Sequence, residues 1–163
     1  VSPDGKEIFF VKSWGGRDSL AIFHTKKAKN KWSIPERASF SNQQNEYKDI
    51  DPIFSPDGRT LIFNSTRPTP QDPQNKDFDI WIVKKKTDNT WSNPIHLGEN
   101  VNSDSSDFYA SVANNGNLYF ASMRQGNYGR IDIYKSEYKH GTYQKPVNLG
   151  QNINGSSDGS NPY

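Results

Sequence analysis

An all-β fold built from three copies of one four-stranded antiparallel unit is predicted by three observations. A turn motif recurs, as "SPDG" at Ser2–Gly5 and Ser55–Gly58 and as "ANNG" at Ala113–Gly116. Each turn is followed by an alternating apolar run, "EIFFV" from Glu7, "TLIFN" from Thr60 and "NLYFA" from Asn117. After a polar loop a second run follows in each copy, "SLAIF" from Ser19, "DIWIV" from Asp79 and "DIYKS" from Asp132. Alternation of this kind marks half-buried strands, and no segment carries a helical period of useful length.

The elements of a unit follow in order. Strand a lies just before the turn, in "DPIF" and "YASV", with "NPY" at Asn161–Tyr163 as its counterpart in a further copy. In "SPDG", Pro presets φ at the second position and Gly takes a positive φ at the fourth, which describes a type I turn with a glycine bulge joining two antiparallel strands. The first run is then strand b and the second strand c. Strand d is marked by an aromatic residue followed closely by proline, Trp32 with Pro35, Trp91 with Pro94 and Tyr143 with Pro146. Proline suits an outer edge strand, where no ladder hydrogen bond is lost. Four-stranded units of roughly 50 residues in tandem are the signature of β-propeller blades. The expected architecture is a single propeller segment over residues 1–163, with repeats at about 1–52, 53–110 and 111–163. Three four-stranded blades make a partial ring, since closed rings use about 4 to 8. The segment is thus read as part of a larger ring, covalently attached to further blades and domains, or as half of a six-bladed ring formed head to tail by two copies.

Composition narrows the function. Of 163 residues, 31% are apolar and 13% aromatic, so the core must be built from large rings. The net charge of +2 and the scatter of basic residues, apart from Lys84–Lys86, give no nucleic-acid footprint. No apolar run approaches the ~18 residues of a membrane span, so membrane insertion is not expected. There is no cysteine, which excludes disulfides and thiolate metal sites.

The stretches "DPIFSPDGRTLIFNSTR" followed by "DFDIWIVKK", and "NLYFASMRQGNYGRIDIYKS", resemble the TolB-type, WD-repeat-like propeller repeat of bacterial envelope proteins. The resemblance extends over all three units. It implies a periplasmic or secreted bacterial protein that binds or scaffolds without catalysis. The first copy departs most, with Gly15 where Arg67 and Arg124 stand and Ser19 where Asp79 and Asp132 stand.

No catalytic residue is assigned. His24, His96 and His140 fall at different places in the repeat, which argues against one axial metal site. There is no Walker loop and no nucleophile elbow. Polar chemistry recurs instead on the face where d-to-a and b-to-c connections emerge together. Loops grouped on a rigid scaffold are the usual place for binding, and Trp14, Arg67, Asp104, Arg124 and Tyr128 are the candidates for engaging a protein or glycan partner. Arg67 with Asp79, and Arg124 with Asp132, are also expected to pair within a blade. No cofactor is assigned; Asp104, Asp107 and Asp158 are the candidates for Ca²⁺, without the ordered spacing of a calcium loop. The competing reading is a carbohydrate-active lyase or glycosidase whose catalytic residues lie partly in missing blades.

Overall fold

A computed structural model describes residues 1–14, 19–69 and 71–162. The described residues form strands and turns without a helix, so no helix is long and apolar enough to cross a membrane. Among the described residues there are four antiparallel sheets, three four-stranded and one two-stranded. The first contains β1 (Glu7–Trp14) and β2 (Ser19–Ala28), with the short β3 (Lys31–Trp32) and β4 (Glu36–Arg37) both paired to β2. The second runs in simple order through β5 (Asp49–Phe54), β6 (Thr60–Ser65), β7 (Asp79–Lys84) and β8 (Ile95–His96). The third is formed by β9 (Asp107–Val112), β10 (Leu118–Ser122), β11 (Asp132–Ser136) and β14 (Val147–Asn148). A hairpin of β12 (Tyr138–Lys139) and β13 (Thr142–Tyr143) stands outside the third sheet.

The turns have the expected chemistry. Gly5, Gly58 and Gly116 have φ of 68°, 67° and 85°, which only glycine adopts freely. Ser2 and Ser55 each accept a bond from the backbone N–H that opens strand b, and each donates to the turn aspartate, Asp4 or Asp57. These bonds hold both aspartates below the usual carboxylate range. The third turn closes one residue sooner, with Ala113 N–H bonded to the Asn117 carbonyl where Ser55 N–H reaches Thr60.

Alternating side chains pack each sheet against the next. Phe9, Ile22 and Phe40 meet Leu61, Phe63, Trp81 and Val83 in one core cluster, with Phe54 and Trp91 packed against it. On the opposite face of the second sheet, Ile62, Ile80 and Ile82 meet Leu118, Phe120 and Tyr134, with Val112 and Tyr143 alongside. The first cluster is rich in rings and the second mainly aliphatic.

At the outer hairpin, Glu137 lies between Lys135 and Lys139. Its hydrogen bonds to Lys139 and Lys135 pull its carboxyl down to about 2. The folded form therefore gains stability from Glu137 above the ordinary carboxylate value, and loses it as pH falls toward 2. An NMR titration should place the Glu137 midpoint near 2 at low salt, and high salt or Lys139→Ala should move it back up, because exposed ion pairs are screened.

Candidate binding surfaces

One end of the sheets is organised by a polar layer that occurs twice. Ser65, ending β6, stands in register between Asp49 on β5 and Asp79 on β7. Ser122, ending β10, stands likewise between Asp107 on β9 and Asp132 on β11. Two residues after each serine comes an arginine that folds back over it. Arg67 donates through Nε to Ser65 Oγ at 2.9 Å and through Nη2 to Asp49 Oδ1 at 2.8 Å and the Phe40 carbonyl at 3.3 Å. Arg124 repeats the pattern with Ser122 Oγ at 2.7 Å, Asp107 Oδ1 at 2.8 Å and the Val101 carbonyl at 2.6 Å. Rings line both guanidinium groups, Tyr47, Phe63 and Trp81 around Arg67, Phe120 and Tyr134 around Arg124.

Both carboxylates are fully buried, and each uses its second oxygen to hold the preceding loop. Asp49 Oδ2 accepts from Ser41 Oγ and Asn42 N–H, and Asp107 Oδ2 from the hydroxyl and N–H of Ser103. Burial pushes the Asp107 carboxyl up, against the lowering pull of Arg124.

The arginines thus pair within a sheet, but with strand a and not with Asp79 and Asp132 as the sequence suggests. The reason is the serine: once Nε is bonded to Ser65 Oγ, the fork points toward Asp49. Asp79 is meanwhile engaged by Asn75 Nδ2 at 3.0 Å and lies 3.3 Å from His96 Nε2. Asp132 accepts from the N–H groups of Tyr128 and Gly129 and from Asn148 Nδ2, which shapes the loop after β10. The first sheet departs differently from the sequence reading. Aligning Glu7 with Thr60 by their turn bonds puts Lys12 where Ser65 stands, and Ala21, its partner across the hairpin, where Asp79 stands. Ser19, expected there from the sequence, instead pairs with Trp14. The same register puts Trp14 in the arginine position in place of Gly15, which lies outside the described residues.

Buried asparagines fasten the d-to-a loops. Asn102 accepts from Ile80 N–H at 2.7 Å and donates to the Ile80 carbonyl at 3.1 Å, and Asn154 bonds both backbone groups of Ile133 in the same way. Asn64 reaches across to the next sheet, donating to the Asp107 carbonyl at 3.0 Å and accepting from Tyr109 N–H at 3.3 Å. In the loops beside the third sheet, Arg130 pairs with Asp158, and a Cβ on Gly129 would lie 2.8 Å from the Gly155 and Ser157 carbonyls.

The five sequence candidates therefore stand in different situations. The side chain of Trp14 lies outside the described residues. The guanidinium groups of Arg67 and Arg124 are engaged in the buried layer. Asp104 and Tyr128 are exposed. A residue that sequence reasoning missed joins them: Met123, between Ser122 and Arg124, is 39% exposed because that alternation turns it outward. The calcium candidates are not brought together: Asp107 holds Arg124 and Asp158 holds Arg130, and among the described residues no group of three or more His, Asp and Glu is placed to hold a metal ion. The histidines lie apart. His24 stacks on Phe9 near Glu36, His96 contacts Trp81 and bonds Asn102, and His140 is in the β12–β13 turn.

Two recesses lie away from this layer. One, of about 460 Å³, is lined by Asp51, Tyr109 and Asn161, which occupy matching positions and share a left-handed φ of 51°, 52° and 51°. The other, of about 520 Å³, opens between the second sheet and the β12–β13 hairpin. Tyr138 and Tyr143 line it, 5.0 Å apart. Burial pushes the Tyr143 hydroxyl up to about 12.

No family model matches the chain, and no curated protein matches it. Among solved structures, a puromycin-hydrolyzing peptidase of Mycobacterium tuberculosis is similar with a TM-score of 0.57 at 12% identity, over 88% of this chain. The match spans 20% of the peptidase, and at this identity the likeness is one of fold alone.

Proposed function

We propose that the chain forms successive blades of a TolB-type β-propeller and acts as a noncatalytic binding module of a bacterial envelope or secreted protein, engaging a protein or glycan through its d-to-a and b-to-c loops. Remaining blades come from further repeats or from a second copy placed head to tail. The observation that carries this reading is the doubled Asp–Ser–Arg layer. It fixes the loops from beneath while leaving Asp104, Met123 and Tyr128 exposed above it. Preorganised loops with an exposed aromatic on a rigid base bind at low entropic cost. In this reading Arg67 and Arg124 support the platform, and the exposed side chains make the contacts.

The test is a glycan array and an envelope-protein binding screen, followed by affinity measurement with the ligand found. Combined Asp104→Ala, Met123→Ala and Tyr128→Ala should weaken capture about tenfold or more, the effect expected when an interface anchor is truncated, with an unchanged thermal melt. Undiminished capture by the triple variant would overturn the proposal.

A further inference from the structure

The recess between the second and third sheets has an internal control in the same chain. The matching space between the first and second sheets is filled by rings: Trp91 packs edge-on against Phe9 at 5.7 Å and lies 6.0 Å from Phe54. The repeat replaces all three of these residues at the other interface. By strand register Ile62 stands for Phe9 and Val112 for Phe54, and Tyr143 takes the place of Trp91. The smaller side chains leave the cavity of about 520 Å³, a size typical of ligand sites. Ile82 and Leu97 also line it, and the exposed Ile95 and Tyr138 stand at its edge.

Its two formally charged side chains, Lys84 and Asp57, do not pair with each other. Lys84 lines the recess, is exposed, and has no acidic partner among the described residues. Asp57, which also lines it, has Oδ1 committed to Ser55 Oγ and Arg59 N–H. A ring matches the missing volume, and an acidic group complements the lysine.

We infer that this recess is a docking site for a partner peptide that inserts an aromatic side chain and places a neighbouring carboxylate on Lys84. The ring takes the space that Trp91 occupies one interface earlier, between Ile62, Val112 and the Tyr138–Tyr143 pair. Asn100 of one d-to-a loop lines the recess, but Asp104, Met123 and Tyr128 do not, so the inference stands or falls independently of those three side chains.

The probe is the fluorescently labelled tetrapeptide acetyl-Gly-Trp-Asp-Gly-amide, read by anisotropy and by amide shift mapping on the isotope-labelled protein. Binding is expected, with shifts at Ile95, Tyr138 and Tyr143. Replacing the peptide's tryptophan by alanine should abolish it. Replacing its aspartate by asparagine should weaken binding about two- to fivefold, the worth of an exposed ion pair, and Lys84→Gln should erase that difference. Val112→Phe restores the ring found at Phe54; it should abolish binding while raising the melting temperature. Should Val112→Phe not fold, Ile62→Phe makes the same test from the facing strand. No binding to the native protein at millimolar peptide, shifts that map elsewhere, or equal binding by the filled variant would each overturn the inference.

Discussion

Asp49→Ala should destabilise the protein by about 3–5 kcal/mol, the usual cost of removing one partner from a buried ion pair. Asp49 is fully buried and Arg67 nearly so, so the substitution leaves a guanidinium held among Tyr47, Phe63 and Trp81 without its counter-charge. It also releases Ser41 and Asn42, and with them the loop leading into β5. Asp107→Ala should behave alike through Arg124 and Ser103. Equilibrium urea unfolding measures both. The double change Asp49→Leu with Arg67→Met should recover most of the loss, because an apolar pair of similar volume replaces a desolvated charge pair. A single-substitution cost below about 1 kcal/mol would class the pair with solvated surface bridges and remove it as the base of the loop platform.

The second large effect is expected at Asn102. Its side chain satisfies both the N–H and the carbonyl of Ile80 and also contacts His96 Nε2. Asn102→Ala orphans the buried Ile80 N–H, at a cost of about 1–3 kcal/mol, and leaves the Ile80 carbonyl only the Leu97 N–H at 3.4 Å. Asn100, two positions earlier and exposed, should change stability by no more than about 0.5 kcal/mol when replaced by alanine. Denaturation of the two variants side by side separates a structural asparagine from a surface one; equal costs would refute the assignment.

Much of the strand pattern was legible because it rests on local chemistry. "SPDG" encodes its own turn through Pro, Asp and a glycine of positive φ, and the runs from Glu7, Thr60 and Asp79 begin strands at those residues. Partner choice was less legible. Asp49 and Asp79 flank Ser65 from opposite sides, and chain order alone gives no reason to prefer one, whereas the Arg67–Ser65 bond does. The outward side chain of Met123 follows from strand alternation and could have been read from "SMR". The recess could not be read directly, since a void is set by what facing residues fail to fill. Its trace was nonetheless present in the exchange of Phe54 for Val112 and Trp91 for Tyr143 between repeats.

The polar layer also bears on how such a chain can evolve. The Asp49–Arg67 and Asp107–Arg124 pairs each close within a single sheet, so a segment duplicated or transplanted from strand a to strand d carries its own electrostatic lock with it. The Asn64 bonds to Asp107 and Tyr109 instead cross a junction, and Val11 and Ala121 occupy the corresponding positions in the other two sheets. Copies can therefore be multiplied without loss of internal order, while each seam is free to drift separately. Identity is inherited by the unit, and individuality accumulates at the joints, which is where the ring-filled and the hollow interface of this chain already differ.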